Sequence, residues 1–397
     1  MRIPSELEQR FISEHLNADI PQLILSASQF PEIKEMAFVA EQIEARQRIK
    51  DKLPDWYKNN ELVFPSRLST EQCSSFQTAS YKQRLVEPNW KITDLTGGLG
   101  IDSFYLSRKV AALTYVEKNE DYCEAARNNF TVLDASNINV VNADTTEIIE
   151  QLPICDAFYI DPSRRGTSDR RLYALSDCEP NLPEILPLLL KKAPIVIAKL
   201  SPMADLISTI KQLPKTKEIH ILSVKNECKE LVFVISRDIE DANPEIFCAN
   251  YLSNGDSTSF IFRFNEEHNT MSQISSGIKH FLYEPDASVM KSGAFKLIAQ
   301  RFGIEQLETS SHLYTSNELM KDFPGRIFSV DNTYPFNNRI CRQLSETIPQ
   351  ASIAVRNFPL SAEDLRKKLK IADGNEIYLF ATTLADKSRT LIVCRKV

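Results

Sequence analysis

The sequence predicts an α/β protein: an open, mostly parallel sheet, preceded by a helical unit and followed by small α+β modules. Three observations carry this. Five short apolar runs between Lys91 and Lys199 alternate with stretches of helical period, the pattern of a parallel sheet covered on both faces. The next two runs, Glu218–Val224 and Leu231–Ile235, are joined too closely for a crossover helix, so they must be antiparallel. Glycine is scarce, at 10 in 397 residues, yet Gly97, Gly98 and Gly100 cluster at the end of the first run.

Taken in order, residues 35–58 read as an amphipathic helix, with Met36, Val39, Ala40, Ile43, Ile49 and Leu53 near one face and Pro54 ending the pattern. The five sheet runs are 91–96, 112–117, 138–141, 157–161 and 195–199. Helical period appears at 121–133 and 183–192. Residues 248–252 and 259–264, around Asn254-Gly255, predict a hairpin, and 294–301 a helix. Beyond Pro324 the expected order is strand 326–330, helix 337–344, strand 352–356, helix 362–369, strand 377–383 and strand 390–394. The expected domains are a helical unit over 1–60, the sheet domain over 61–240, a hairpin-containing segment over 241–323 and an α+β domain over 324–397.

Composition is that of an ordinary soluble protein, 43% hydrophobic and 25% charged. No apolar run reaches the ~18 residues of a membrane helix, and the start lacks a signal-peptide core. The eight cysteines are scattered with no CxxC pair, which fits reduced thiols in a cytoplasmic setting and suggests no metal. A net charge of −6 argues against a uniformly basic nucleic-acid binder. The distribution is uneven, however: Lys291–Val397 holds 16 basic and 11 acidic side chains. A basic C-terminal third is compatible with a local nucleic-acid contact.

The glycine cluster sits where an open α/β sheet binds ligands, outside the carboxyl end of a strand. Glycine permits a tight turn there, and a helix from about Ile101 would present free amides. Acids recur at successive strand ends. Glu117 follows the second run, where a carboxylate can accept both hydroxyls of a ribose. Asp144 follows the third, within reach of an adenine amine. Asp161-Pro162 ends the fourth, at the expected reacting end. Each acid alone would more often cap a helix. Their repetition favours a nucleoside ligand. A nicotinamide fingerprint would require glycine at 103, where Ser103 stands.

The stretch Asp94-Leu95-Thr96-Gly97-Gly98-Leu99-Gly100-Ile101-Asp102, with Asp161-Pro162-Ser163-Arg164-Arg165, resembles the Rossmann-like class I methyltransferases that carry a C-terminal THUMP-like domain. Phe64-Pro65, Glu71-Gln72-Cys73-Ser74-Ser75, Asn226-Glu227-Cys228-Lys229-Glu230 and the tail from Asn357 to Phe380 are similar to the same group. The resemblance implies S-adenosyl-L-methionine as cofactor, held by Asp94, Thr96, Gly97, Gly98, Gly100, Asp102, Glu117, Asp144 and Pro162. It also implies a ferredoxin-like segment before the THUMP-like module, and RNA as partner only by analogy.

At the reacting end, amino-methyltransferases often carry Asp/Asn-Pro-Pro-aromatic, whereas this chain has Ser163-Arg164-Arg165 after Asp161-Pro162. Arg164 and Arg165 could bind substrate phosphate or simply be solvated. Lys82, Asp161, Lys199 and Glu230, in chain order, are similar to the tetrad of ribosomal-RNA ribose 2′-O-methyltransferases, where a lysine among carboxylates takes the hydroxyl proton. A structural ion pair between Lys199 and Glu230 is the competing reading. Neither Cys155 nor Cys228 follows the pattern of a nucleophilic cysteine, and a buried structural thiol is expected for both. The acceptor stays open between a base nitrogen and a ribose hydroxyl. A non-catalytic RNA-binding protein and a protein or small-molecule methyltransferase remain alternatives.

Overall fold

The computed structural model describes residues 2–164, 175–240 and 243–397, and the chain forms two compact units. The first comprises Met1–Ile219 and Glu230–Ala242; the second comprises His220–Lys229 and Asn243–Val397.

The first unit opens with helices. Glu6–Glu14 begins at a capping box in which Ser5 and Glu8 bond reciprocally. Ile20–Leu25 and Met36–Ile49 follow, and Met36, Val39 and Ile43 pack with Phe11, Ile12 and Leu23. The single helix expected over 35–58 is broken. It stops at Ile49, and Pro54 starts a new short helix, Pro54–Lys58, at its first turn. Proline fits there because its missing N–H would have had no partner anyway. Arg46 is fully buried and fixes the following loop, donating to the carbonyl of Leu62 at 2.6 Å and of Asn60 at 3.2 Å.

The strands here are β1 (Lys91–Asp94), β2 (Ala112–Glu117), β3 (Ile138–Asn142), β4 (Ala157–Ile160), a two-residue ribbon of β5 (Ser163–Arg164) with β6 (Cys178–Glu179), β7 (Ile195–Leu200), β8 (Thr216–Val224) and β9 (Glu227–Ser236), the turn end of the last two, His220–Lys229, belonging to the second unit. Within their sheet these strands run in the order β8-β9-β7-β4-β1-β2-β3. Strands β3, β2, β1, β4 and β7 are parallel, and β9 is antiparallel to β7. This is the expected class I sheet. The β8–β9 connection is two residues, Lys225 and Asn226, both with positive φ as a tight hairpin of this handedness requires. The central strand β4 is buried throughout, and so is Ile197–Leu200 of β7, as a two-sided cover demands. The preceding segment is tied on by Asn129 in the helix Glu120–Val132. Its side chain accepts from the Val63 amide and donates to the Val63 carbonyl, each at 2.8 Å.

In the second unit, β10 (Glu245–Tyr251) and β11 (Ser257–Arg263) form the expected hairpin around Asn254-Gly255. A separate seven-stranded sheet contains β12 (Phe281–Pro285), β13 (Glu305–Gln306), β14 (Tyr314–Ser316), β15 (Gly325–Pro335), β16 (Ser352–Arg356), β17 (Ile377–Thr383) and β18 (Arg389–Lys396), in the order β13-β14-β12-β15-β18-β17-β16. The first expected strand beyond Pro324 is twice as long as its apolar core suggested, because β15 continues through Asp331–Thr333 past a bulge to pair with β18. Helices Asn338–Thr347 and Ala362–Leu369 cover one face through Leu344, Leu365 and Leu369. Phe328, Phe380 and Ile392 pack with Leu307 and Leu313 in a separate cluster. Among the described residues no helix is long and apolar enough to cross a membrane, and no cluster of His, Cys, Asp and Glu suits a metal.

Asn129→Ala strands both Val63 backbone groups. It is expected to cost about 2–4 kcal/mol, read as a lowered urea midpoint with an unchanged m-value.

Candidate active site

The loop after β1 is shaped first by its own packing. A Cβ on Gly97 would come 2.2 Å from the Tyr115 ring, and one on Gly100, at φ +82°, would come 2.8 Å from Phe130. Tyr115 also donates its hydroxyl to the Gly98 carbonyl at 2.5 Å. Close approach to a ligand is therefore not the sole reason for glycine here. The helix Ile101–Ser107 starts where expected.

This loop forms one wall of a cavity of about 280 Å³. Asp94, Thr96, Gly97, Gly98, Gly100 and Asp102 all line it. Glu117 and Asp144 line it from the ends of β2 and β3, and Asp161 and Lys199 from the ends of β4 and β7. Pro162 is buried beside it but is not in its wall. The Glu117 carboxylate also accepts from the Gly98 amide at 3.0 Å and the Asn119 amide at 2.8 Å, so it braces the loop. Asp144 has both roles considered for it. It faces the cavity and caps a short helix, accepting from the Thr146 amide at 2.8 Å. Asp94 is 1% exposed and accepts from the Thr96 amide at 3.0 Å and the Ser103 hydroxyl at 2.5 Å. Burial outweighs those bonds and pushes its carboxyl up to about 7.

At the reacting end, side chains far apart in sequence converge. Lys199 Nζ lies 2.7 Å from Asp161 and 3.6 Å from Asp102. Lys82 Nζ lies 2.9 Å from Asp102 and 2.5 Å from Glu230. Lys82, Asp161, Lys199 and Glu230 are thus brought together, with Asp102 between the lysines. The alternative pairing of Lys199 with Glu230 is corrected: Lys199 takes Asp161, and Glu230 takes Lys82. Topology explains Glu230. Because β9 runs against β7, its early residues lie beside the end of β7, with Leu231 opposite Leu200.

Two residues not singled out by sequence complete the cluster. Ser74 Oγ donates to Asp102 at 2.8 Å and accepts from Lys82 at 3.0 Å. Tyr159 donates to Asp102 at 2.8 Å. Ser74 belongs to the Glu71–Ser75 stretch that carried the family resemblance. Tyr159 sits two residues before Asp161, on a strand where aromatic residues are usually core. Lys82 and Glu230 are 0% and 5% exposed and lie behind the cavity wall, so they position rather than touch what it holds. Cys155 and Cys228 are partly exposed rather than buried; neither lines the cavity, and none of the eight cysteines is in a disulfide. Arg164 lies in β5, its side chain and all of Arg165 falling outside the described residues.

The electrostatics divide the roles. Burial alone would lower the Lys199 pKa, but Asp161, Asp102 and Glu230 outweigh it and raise it above its ordinary value. Burial pushes Asp102 up, and Lys82 and Lys199 overcome this to hold it well below the usual carboxylate range. Burial raises Asp161, with Lys199 opposing. Lys199 therefore keeps its proton near neutrality, while Asp161 is the more readily protonated of these paired carboxylates.

A protein from Porphyromonas gingivalis W83, described as a candidate methyltransferase, has a crystal structure matching this chain at 36% identity over 100% of both chains, with a TM-score of 0.90. The chain belongs to that methyltransferase family. A ferredoxin-like domain family matches residues 281–324 and a THUMP domain-like family residues 325–396. A precorrin-6y C5,15-methyltransferase from Geobacter metallireducens matches at 17% identity over 40% of this chain and 84% of that one, with a TM-score of 0.30. A candidate RNA methyltransferase from Pyrococcus horikoshii matches at 14% identity over 48% and 99%, with a TM-score of 0.35. Neither is similar enough to bear on chemistry. No curated protein matches the sequence.

Lys82→Met leaves Asp102 and Glu230 short of a buried partner. A loss of about 3–5 kcal/mol is expected by chemical denaturation. A second expectation concerns Asp94. From about pH 4 to pH 7 the native state keeps a proton on this carboxyl that the unfolded chain releases, so its contribution turns unfavourable as pH rises. Asp94→Asn should therefore gain stability relative to wild type between about pH 5 and pH 7.5, read from paired urea midpoints.

Proposed function

We propose that this chain transfers a methyl group from S-adenosylmethionine to a nucleotide of RNA. The observation that carries the reading is one cavity whose wall joins the glycine loop and strand-end acids to the Asp161–Lys199 pair. Its donor set fits the cofactor. Carboxylates at 117 and 144 suit ribose hydroxyls and an adenine amine, and the acidic wall suits a ligand carrying an ammonium and a sulfonium. At about 280 Å³ the cavity is near the lower end of the ~300–1,000 Å³ typical of small-molecule sites.

The cofactor supplies an electrophilic methyl group, and the chain must align the acceptor with it. Asp161 stands where an acceptor proton can be received, since its carboxyl is raised and faces the cavity. Lys199, held protonated, fixes that carboxylate and stabilises its charged form. This favours Asp161 over Lys199 as proton acceptor and suits either a base N–H or a hydroxyl. Support for RNA comes from the THUMP domain-like match over residues 325–396. Eight cysteines with no disulfide between them suit a reducing, cytoplasmic setting.

Titration calorimetry with S-adenosylhomocysteine should show binding that Asp94→Ala and Glu117→Ala weaken about 10- to 100-fold. Asp161→Asn should retain that binding but lower tritium transfer to total cellular RNA by about 10²–10⁴. Label that survives RNase treatment would point to a protein or small-molecule acceptor instead. Persistent RNA binding without cofactor binding would favour a non-catalytic scaffold. Nucleoside mass spectrometry of the labelled RNA separates base from ribose.

A further inference from the structure

The second unit carries a charged triad that methyl transfer does not use. Glu284 on β12 stands directly across from Arg326 on β15, which puts both side chains on one face of the sheet. Arg326 Nε donates to Glu284 Oε2 at 2.8 Å, and its Nη2 donates to the same oxygen. Arg356, at the end of β16, donates through Nη2 to Glu284 Oε1 at 2.7 Å. Glu284 is 2% exposed, while the two arginine side chains keep 35% and 40% of their surface open. One buried carboxylate thus holds two half-exposed guanidiniums at fixed angles.

The triad has more positive charge than internal cohesion needs. One arginine would neutralise Glu284; the second leaves a local charge of +1. Arg356 Nε is buried without a hydrogen-bond partner, so this guanidinium is not fully satisfied within the protein. Arg326 is further restrained over the rings of Phe328 and Tyr378, at 5.6 and 5.9 Å from their centroids. Two pre-oriented planar forks beside an unpartnered N–H match the tetrahedral oxygens of a phosphate.

We propose that Arg326 and Arg356, oriented by Glu284, clamp a backbone phosphate of RNA. This rests on the RNA reading of the protein's function; the same chemistry would accept free phosphate. The experiment measures binding of a fluorescent single-stranded RNA oligonucleotide to the full chain across a series of KCl concentrations. The variant Glu284→Gln with Arg326→Gln and Arg356→Gln removes all three charges, so no buried ion is stranded. Its slope of log affinity against log salt should be shallower by about 1, the loss of one phosphate contact. Glu284→Gln alone keeps both arginines and adds net positive charge, yet should bind RNA more weakly because the forks are no longer held. Unchanged RNA binding in the triple variant, or tighter binding by Glu284→Gln, overturns the clamp. Calorimetry with inorganic phosphate tests the other source. Phosphate binding that the triple variant loses, with RNA affinity intact, also overturns the RNA assignment. Thermal melts confirm folding. S-adenosylhomocysteine titration of each variant is the separate check on methyl transfer: its failure in wild type removes that reading without touching the clamp, and it should be unchanged in the triple variant.

Discussion

Asp102 is the charge on which the active-site region depends. It sits in the first turn of a helix, buried, with an ammonium on each side: Lys82 at 2.9 Å and Lys199 at 3.6 Å. Removing such an ion from water costs several kcal/mol unless it is matched in place. Lys82 comes from the segment before the sheet, Asp102 from the loop helix and Lys199 from a strand end. Their mutual compensation therefore ties three parts of the first unit to one point. Glu230 and Asp161 extend the chain of charges, and the hydroxyls of Ser74 and Tyr159 both donate to Asp102 Oδ2. The arrangement holds three carboxylates and two ammoniums, so one negative charge is left over. Asp161 and Asp102 both line the cavity, and of these two Asp161, whose carboxyl burial raises, takes a proton more readily.

That imbalance decides the chemistry among residues that look interchangeable in sequence. A lysine buried alone loses its proton easily. Lys199 is buried among three acids, and their attraction exceeds the cost of its burial. The four-residue resemblance on its own suggested a lysine base. Asp161 raises the same ammonium most, and the carboxylate of Asp102, itself held low, adds to it. A residue expected to touch cofactor thus turns out to set the protonation of its neighbours as well.

Much of the fold was legible. Alternating apolar runs give the parallel strands, and the short link after Val224 gives the antiparallel end; helix 362–369 and strands 352–356 and 377–383 match residue for residue. The helix over 35–58 misled because Pro54 reads as a terminator, yet proline is equally at home in a first turn. In the site, the strand-end acids were visible because the topology repeats them at a regular interval. Ser74, Tyr159 and the Asp102 pairings were not. Ser74 and Glu230 meet across 156 residues, and no local spacing encodes such a meeting. It follows from the direction of β9 and the placement of a helix, both tertiary facts.

The glycines of the loop answer to packing as well as to the ligand proposed for them. Gly97 was expected to give a ligand room, but the Tyr115 ring fills the position a Cβ would take. Tyr115 in turn bonds the Gly98 carbonyl, and the Gly98 amide bonds Glu117. The loop is therefore held in the observed shape by β2. Preorganisation of this kind lowers the ordering cost of binding. It also means that the glycines and the acid at the end of β2 form one device: the residue proposed to meet a ribose is the residue that fixes the loop beside it. A motif search sees the two as separate signals, while the packing makes each a condition of the other.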